Sequence, residues 1–166
     1  MNAYAESTSE GWVLVTVRDL RHPPAAVWAA LTDPDQLEAW APFTAGRDLG
    51  ATGEATLSMI DGVDGERVDL PATVLRADPP TLLEYTWGSD RLRWELAATD
   101  AGTRLTLRHR DGARDDLAKA AAGRHLCVEV LEHLLAGDPV PPVRGEDALA
   151  HGWTELHDRY AAALAG

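Results

Sequence analysis

At 166 residues with 45% hydrophobic side chains, the chain is long enough to bury one real core and too apolar to be disordered. Its formal charge of −12 at pH 7 argues against nucleic acid and anionic lipid surfaces as partners, since both would be repelled overall. A lone cysteine excludes an intramolecular disulfide and a four-cysteine zinc site. Residues 1–10 lack the basic and apolar regions of a signal peptide, and no apolar run approaches a membrane span, so a cytoplasmic protein without membrane insertion is expected. One lysine against fourteen arginines points to a bacterial source.

Residues 1–10 read as a flexible lead-in to a single domain over 11–166. Trp12–Leu20 is β-branched and apolar, the signature of a strand, and His22-Pro23-Pro24 stops it because proline supplies no ladder donor. Pro24 fits the first turn of a helix that carries Val27, Trp28 and Leu31 on one side. Thr32-Asp33-Pro34 ends that helix, and Asp33 can cap a second short one, DPDQLEAW. Trp40-Ala41-Pro42-Phe43 then takes the place of a flexible lid.

From Gly53 to Arg110 the text changes to strands: GEATLSMI, ERVDLPATVLRA, TLLEYTWG, RLRWELAAT and TRLTLRHR, separated by turns at 61–65, 78–80, 89–90 and 100–102. Leu92, Trp94 and Leu96 oppose Arg91, Arg93 and Glu95, while Leu105, Leu107 and His109 oppose Arg104, Thr106 and Arg108. One sheet face is therefore buried and the other wet. Arg104, Arg108 and Arg110 read as part of the wet face and not as a nucleic-acid patch.

Arg114–Ala136 has the 3.6-residue period of a helix with one buried face, set by Leu117, Ala121, Val128, Leu131 and Leu135 and widened by Cys127 and Leu134. It is the one element long enough to cover the sheet. Gly137-Asp138-Pro139 ends it, and 140–145 is a stiff connector. An appended helix fills 144–166, with Leu149, Trp153, Leu156, Tyr160 and Leu164 along one side. It is expected to pack on the body or on a second subunit, which leaves a homodimer open.

Strand, two short helices, antiparallel strands and long helix is the order of the helix-grip fold. HPPAAVWAALTDPDQLEAW resembles the opening of SRPBCC (START-like, Bet v-type) domains. ADPPTLLEYTW, LRWEL and GTRLTLRH resemble the activator-of-heat-shock-protein-ATPase branch, and GRHLCVEVLEHLLAG resembles the long helix of its bacterial members. The resemblance spans roughly Val13–Gly137 and continues into the Trp153/Tyr160 helix. It implies an α+β fold with a curved antiparallel sheet of about six strands wrapped on the long helix. It also implies a cavity between them for a small apolar or amphipathic molecule. It does not imply one chemistry, because the superfamily includes lipid carriers, hormone receptors, polyketide aromatase/cyclases and co-chaperone domains.

Arg124 is the departure: bacterial relatives commonly carry tryptophan there, and this guanidinium shares the face of Leu117 and Leu131. It reads either as an anchor for a ligand carboxylate or enolate, or as a side chain that snorkels out or pairs with Asp115, Asp116 or Glu95. His109 is either a chamber-lining acid/base group, which needs an orienting partner, or a satisfied half-buried histidine. Trp40, Phe43, Tyr85, Trp87 and Trp94, with Val128 and Leu131, are candidates for the chamber wall and equally for ordinary core. His125, Glu129 and His133 follow at intervals of four and read as a solvated helix face in preference to a metal site. Cys127 reads as inert packing, and no phosphate loop, metal site or other cofactor motif is present. The expected function is binding of a small hydrophobic or amphipathic molecule. A polyketide cyclase-like enzyme using His109 and Arg124, or a co-chaperone-like protein-binding module, is the alternative.

Overall fold

The computed structural model describes residues 1–60, 66–110 and 114–165. The alternating segments form β1 (Asn2–Thr8), β2 (Gly11–Leu20), β3 (Phe43–Ala45), β4 (Gly53–Ile60), β5 (Arg67–Asp78), β6 (Leu82–Trp87), β7 (Asp90–Thr99) and β8 (Gly102–Arg110). All lie in one antiparallel sheet of order β1-β2-β8-β7-β6-β5-β4-β3. Two short helices, α1 (Pro24–Thr32) and α2 (Pro34–Trp40), carry the chain from β2 to the far edge. The meander then returns until β8 closes on β2. Asp33 breaks and caps between the helices as its side chain accepts from the backbone N–H of Asp35 and of Gln36, at 2.9 and 3.1 Å. The turn expected at 61–65 lies outside the described residues.

After one 3₁₀ turn over Arg114–Asp116, the long helix α3 runs from Leu117 to Leu135. Gly137, at φ 75°, ends it in a left-handed conformation that an L side chain rarely adopts. Asp138 N–H then donates to His133 and Gly137 N–H to Leu134, which satisfies two orphan carbonyls of the last turn. This is the helix-grip arrangement, with two more strands than the sequence promised.

Both extra strands sit at sheet edges. The lead-in expected to be flexible is β1, paired with β2 from Asn2↔Val17 to Thr8↔Gly11. Its inward residues, Ala3 and Ala5, are small and carry little strand propensity, so the pairing left a faint trace in the sequence. The stretch expected to be a lid is also fixed: Trp40 and Phe43 are each only 1% exposed, and Phe43 opens β3.

Two apolar clusters result. The larger lies between the sheet, α1, α2 and the second half of α3, and includes Leu31, Trp40, Tyr85, Trp94, Leu107 and Leu131. The smaller joins Leu14, Leu117, Ala121 and Ala122 to Tyr160 and Leu164. Those last two belong to the C-terminal helix, which divides into α4 (Asp147–Ala150) and α5 (Trp153–Leu164) at Gly152, where φ is 79°. Among the described residues no helix is long and apolar enough to cross a membrane.

Candidate functional site

Sheet and long helix pack tightly along most of their length and part at one end. The ends of β4, β6 and β8 there face the first half of α3 and the connector beyond it, around a cavity of about 350 Å³. Met59, Ile60, Trp87 and His109 line the sheet side; Ala120, Gly123, Arg124 and Cys127 line the helix side; Val143, Arg144, Ala148 and Trp153 close the third. The volume falls in the range of small-molecule sites, roughly 300–1,000 Å³. Gly123 makes room by what it lacks, since a Cβ there would meet nothing within 4 Å.

Arg124 reaches this cavity from α3 while only 6% exposed. Its guanidinium carbon lies 5.5 Å from the centre of the Trp87 ring, a cation–π contact. Among the described residues it makes no hydrogen bond and no ion pair. Two acids that might have neutralised it are engaged elsewhere: Asp116 holds Lys119 at 2.9 Å, and Glu95 holds Arg93 at 2.7 Å. The expected solvated face of Arg104, Arg108 and Arg110 is also paired, with Asp19, Glu6 and Glu10 respectively.

His109 is 4% exposed and has the orienting partner that the sequence did not identify. Its Nε2 donates to a carboxylate oxygen of Asp90 at 2.9 Å, and that bond holds the Asp90 carboxyl below the usual range. Asp90 sits in a stretch that reads as hairpin punctuation. The register Trp87↔Asp90 and Leu92↔His109 nevertheless places it on the buried face. Its parity with Leu92 and Trp94 was the available signal. The remaining nitrogen, Nδ1, is sealed from solvent without a partner among the described residues, and so is the indole N–H of Trp87.

Of the wall candidates, Trp87, His109 and Arg124 reach the cavity. Trp40, Phe43, Tyr85, Trp94, Val128 and Leu131 are buried but do not line it. Edge-on aromatic packing holds four of them together: Trp40 against Trp94 with ring centres 6.2 Å apart, and Phe43 against Tyr85 at 6.3 Å. The indole of Trp94 donates to the Tyr85 hydroxyl at 3.1 Å, and burial pushes the Tyr85 phenol up to about 12. Side chains thus fill the middle of the grip, which confines the cavity to one end.

His125 corrects the expectation of a solvated helix face. It is buried where α5 covers α3, with Nδ1 2.7 Å from the Tyr160 hydroxyl and Nε2 donating to Glu129 at 3.0 Å. His133 stays half exposed. Among the described residues no three His, Cys, Asp or Glu side chains are grouped to hold a metal ion. Cys127 is a free, buried thiol whose pKa burial pushes up, as expected for packing.

An open antiparallel sheet gripping one long helix, with a pocket where the grip parts, defines a helix-grip domain of the SRPBCC kind. Residues 21–136 match the family model described as Activator of Hsp90 ATPase homolog 1-like protein, and the chain belongs to this family. No curated protein matches the sequence. Among solved structures, CalU16 from Micromonospora echinospora is 19% identical, with a TM-score of 0.67 over 97% of this chain and 94% of its own. A conserved protein of unknown function from Enterococcus faecalis, EF2215, is 16% identical, with a TM-score of 0.70 over 97% and 89%. The AHSA1 protein of Silicibacter pomeroyi is 21% identical, with a TM-score of 0.64 over 76% and 99%. At these identities the likeness is one of fold.

Proposed function

We propose that the chain binds a small apolar or amphipathic molecule in the pocket at the open end of the grip. The observation that carries this reading is a cavity of about 350 Å³ with a largely apolar wall and one buried guanidinium, Arg124, that has no hydrogen bond or ion pair among the described residues. Burying a charge without a partner costs several kcal/mol, a cost that a ligand headgroup would offset. A polyketide cyclase-like reaction has less support, because His109 Nδ1, the nitrogen left for base chemistry, is sealed. A protein-binding module would call for a filled interior, and the open pocket favours a small guest. We place this activity in the cytoplasm and invoke no cofactor.

The test is fluorescence titration with N-phenyl-1-naphthylamine, a neutral apolar probe that brightens in dry sites. Saturable binding is expected, weakened about tenfold or more by Gly123→Leu, whose side chain would occupy the cavity. No binding by the native chain, or binding indifferent to Gly123→Leu in a folded variant, would overturn the proposal.

A further inference from the structure

We infer that the guest is an anion: an apolar molecule ending in a single carboxylate, held by Arg124 with Arg144 beside it. The inference rests on the binding role proposed above for the same pocket and adds the sign and class of the headgroup. In a chain of formal charge −12, the described lining carries two arginines and a histidine and no Asp or Glu. That local reversal of sign is unexpected for a general-purpose greasy cleft, which gains nothing by burying cations.

The two guanidiniums are set differently. Arg124 lies against the Trp87 ring and makes no hydrogen bond among the described residues, so the N–H donors along its edge are unspent. A planar fork of parallel donors matches a carboxylate in bidentate geometry. Arg144 is pinned at the rim, its Nε donating to the Ala41 carbonyl at 3.1 Å and its Nη2 to the carbonyls of Ala41 and Glu38. Carbonyl dipoles fix its direction without cancelling its charge. The Glu38 carboxylate nearby is held by Arg67 at 2.7 Å. Burial also pulls the Arg144 pKa down, so this cation too is held at a cost that a neighbouring anion would relieve. Asp90 feels the charge of Arg124, but its carboxylate is bonded to His109 and does not line the cavity. Beyond the charged groups the wall is apolar, with Pro42, Ile60, Trp87, Val143 and Trp153 available to a hydrocarbon or aromatic body.

The experiment is displacement of bound N-phenyl-1-naphthylamine at pH 7.5 by three probes of one chain length: decanoate, decanol and decylammonium. Decanoate is expected to displace at about tenfold lower concentration than decanol, with decylammonium weakest, as charge-assisted pairing with a buried guanidinium requires. Arg124→Met, which keeps the apolar stem, should bring decanoate to the level of decanol, each displacement being referred to the variant's own affinity for the neutral probe. Equal displacement by decanoate and decanol on the native chain would overturn the anion assignment while the pocket reading stood. That arm needs no variant to fold. A preference for decanoate that survives in the Arg124→Met, Arg144→Met double variant would also overturn it. Failure of the neutral probe to bind, or its indifference to Gly123→Leu, would remove the pocket reading and this inference with it.

Discussion

His125 stands where α3 meets α5, and burial is the strongest influence on its ring, lowering its pKa from the ordinary 6.5 against the upward pull of Glu129. The fold therefore prefers the neutral ring, while the unfolded chain takes up the proton more readily. Its stabilising contribution is complete above about pH 6.5 and is lost as the pH falls from there through the lowered folded value. Urea midpoints measured between pH 8 and pH 5 should fall more steeply for the native chain than for His125→Gln. Parallel curves would show that this ring is not the titrating group. The sequence misplaced His125 because a spacing of four says which residues share a helix side, and not what covers that side. Arg124 was legible for the same reason: seven residues from both Leu117 and Leu131, it had to share their buried face. That it meets no acid among the described residues was not legible, because spacing alone does not say that Asp116 and Glu95 take the nearby Lys119 and Arg93 instead.

Periodicity at the level of elements carried most of the architecture. Strict alternation in β7 and β8 fixed which residues point inward, and the Leu117–Leu135 stripe fixed the helix that covers them. Parity could not separate the part of the inner face that is filled from the part that is open. Trp87 and Tyr85 share that face, yet one lines the cavity and the other is sealed against Phe43 and Trp94. That outcome depends on side-chain volumes summed over three elements. The division between α4 and α5 was marked by Gly152, which a continuous helical stripe obscured. Within α3 the same residue type serves as empty space: Gly123 is helical and its Cβ position is open. Gly123→Ala should therefore raise stability by about 0.5–1 kcal/mol through helix propensity, read as a shift in urea midpoint at constant m-value. A loss of stability would mean that the position is crowded after all.

Across the whole molecule, α5 and β1 pack against β2 and the first half of α3, alongside the pocket. Leu14, fully buried on β2, is shared between the sheet and the second cluster formed with Leu117, Tyr160 and Leu164. Leu14→Ala should cost about 2–5 kcal/mol, the range for a buried leucine whose cavity cannot collapse. Thermal unfolding would check it, and a cost below about 1 kcal/mol would mean that α5 and β1 add little to the body.

The segment matching the family model ends at residue 136, and the pocket does not. Its polar floor, Arg124 and His109, belongs to the shared grip, whereas Val143, Arg144, Ala148 and Trp153 belong to the arm that follows. Floor and roof are thus written in separate stretches of sequence. Substitution or repacking of the arm alone can widen, narrow or recharge the entrance while every strand of the sheet keeps its register. On the proposed reading, chains with the same grip are free to differ in what they admit, and differences in ligand choice should be sought in the arm more than in the grip.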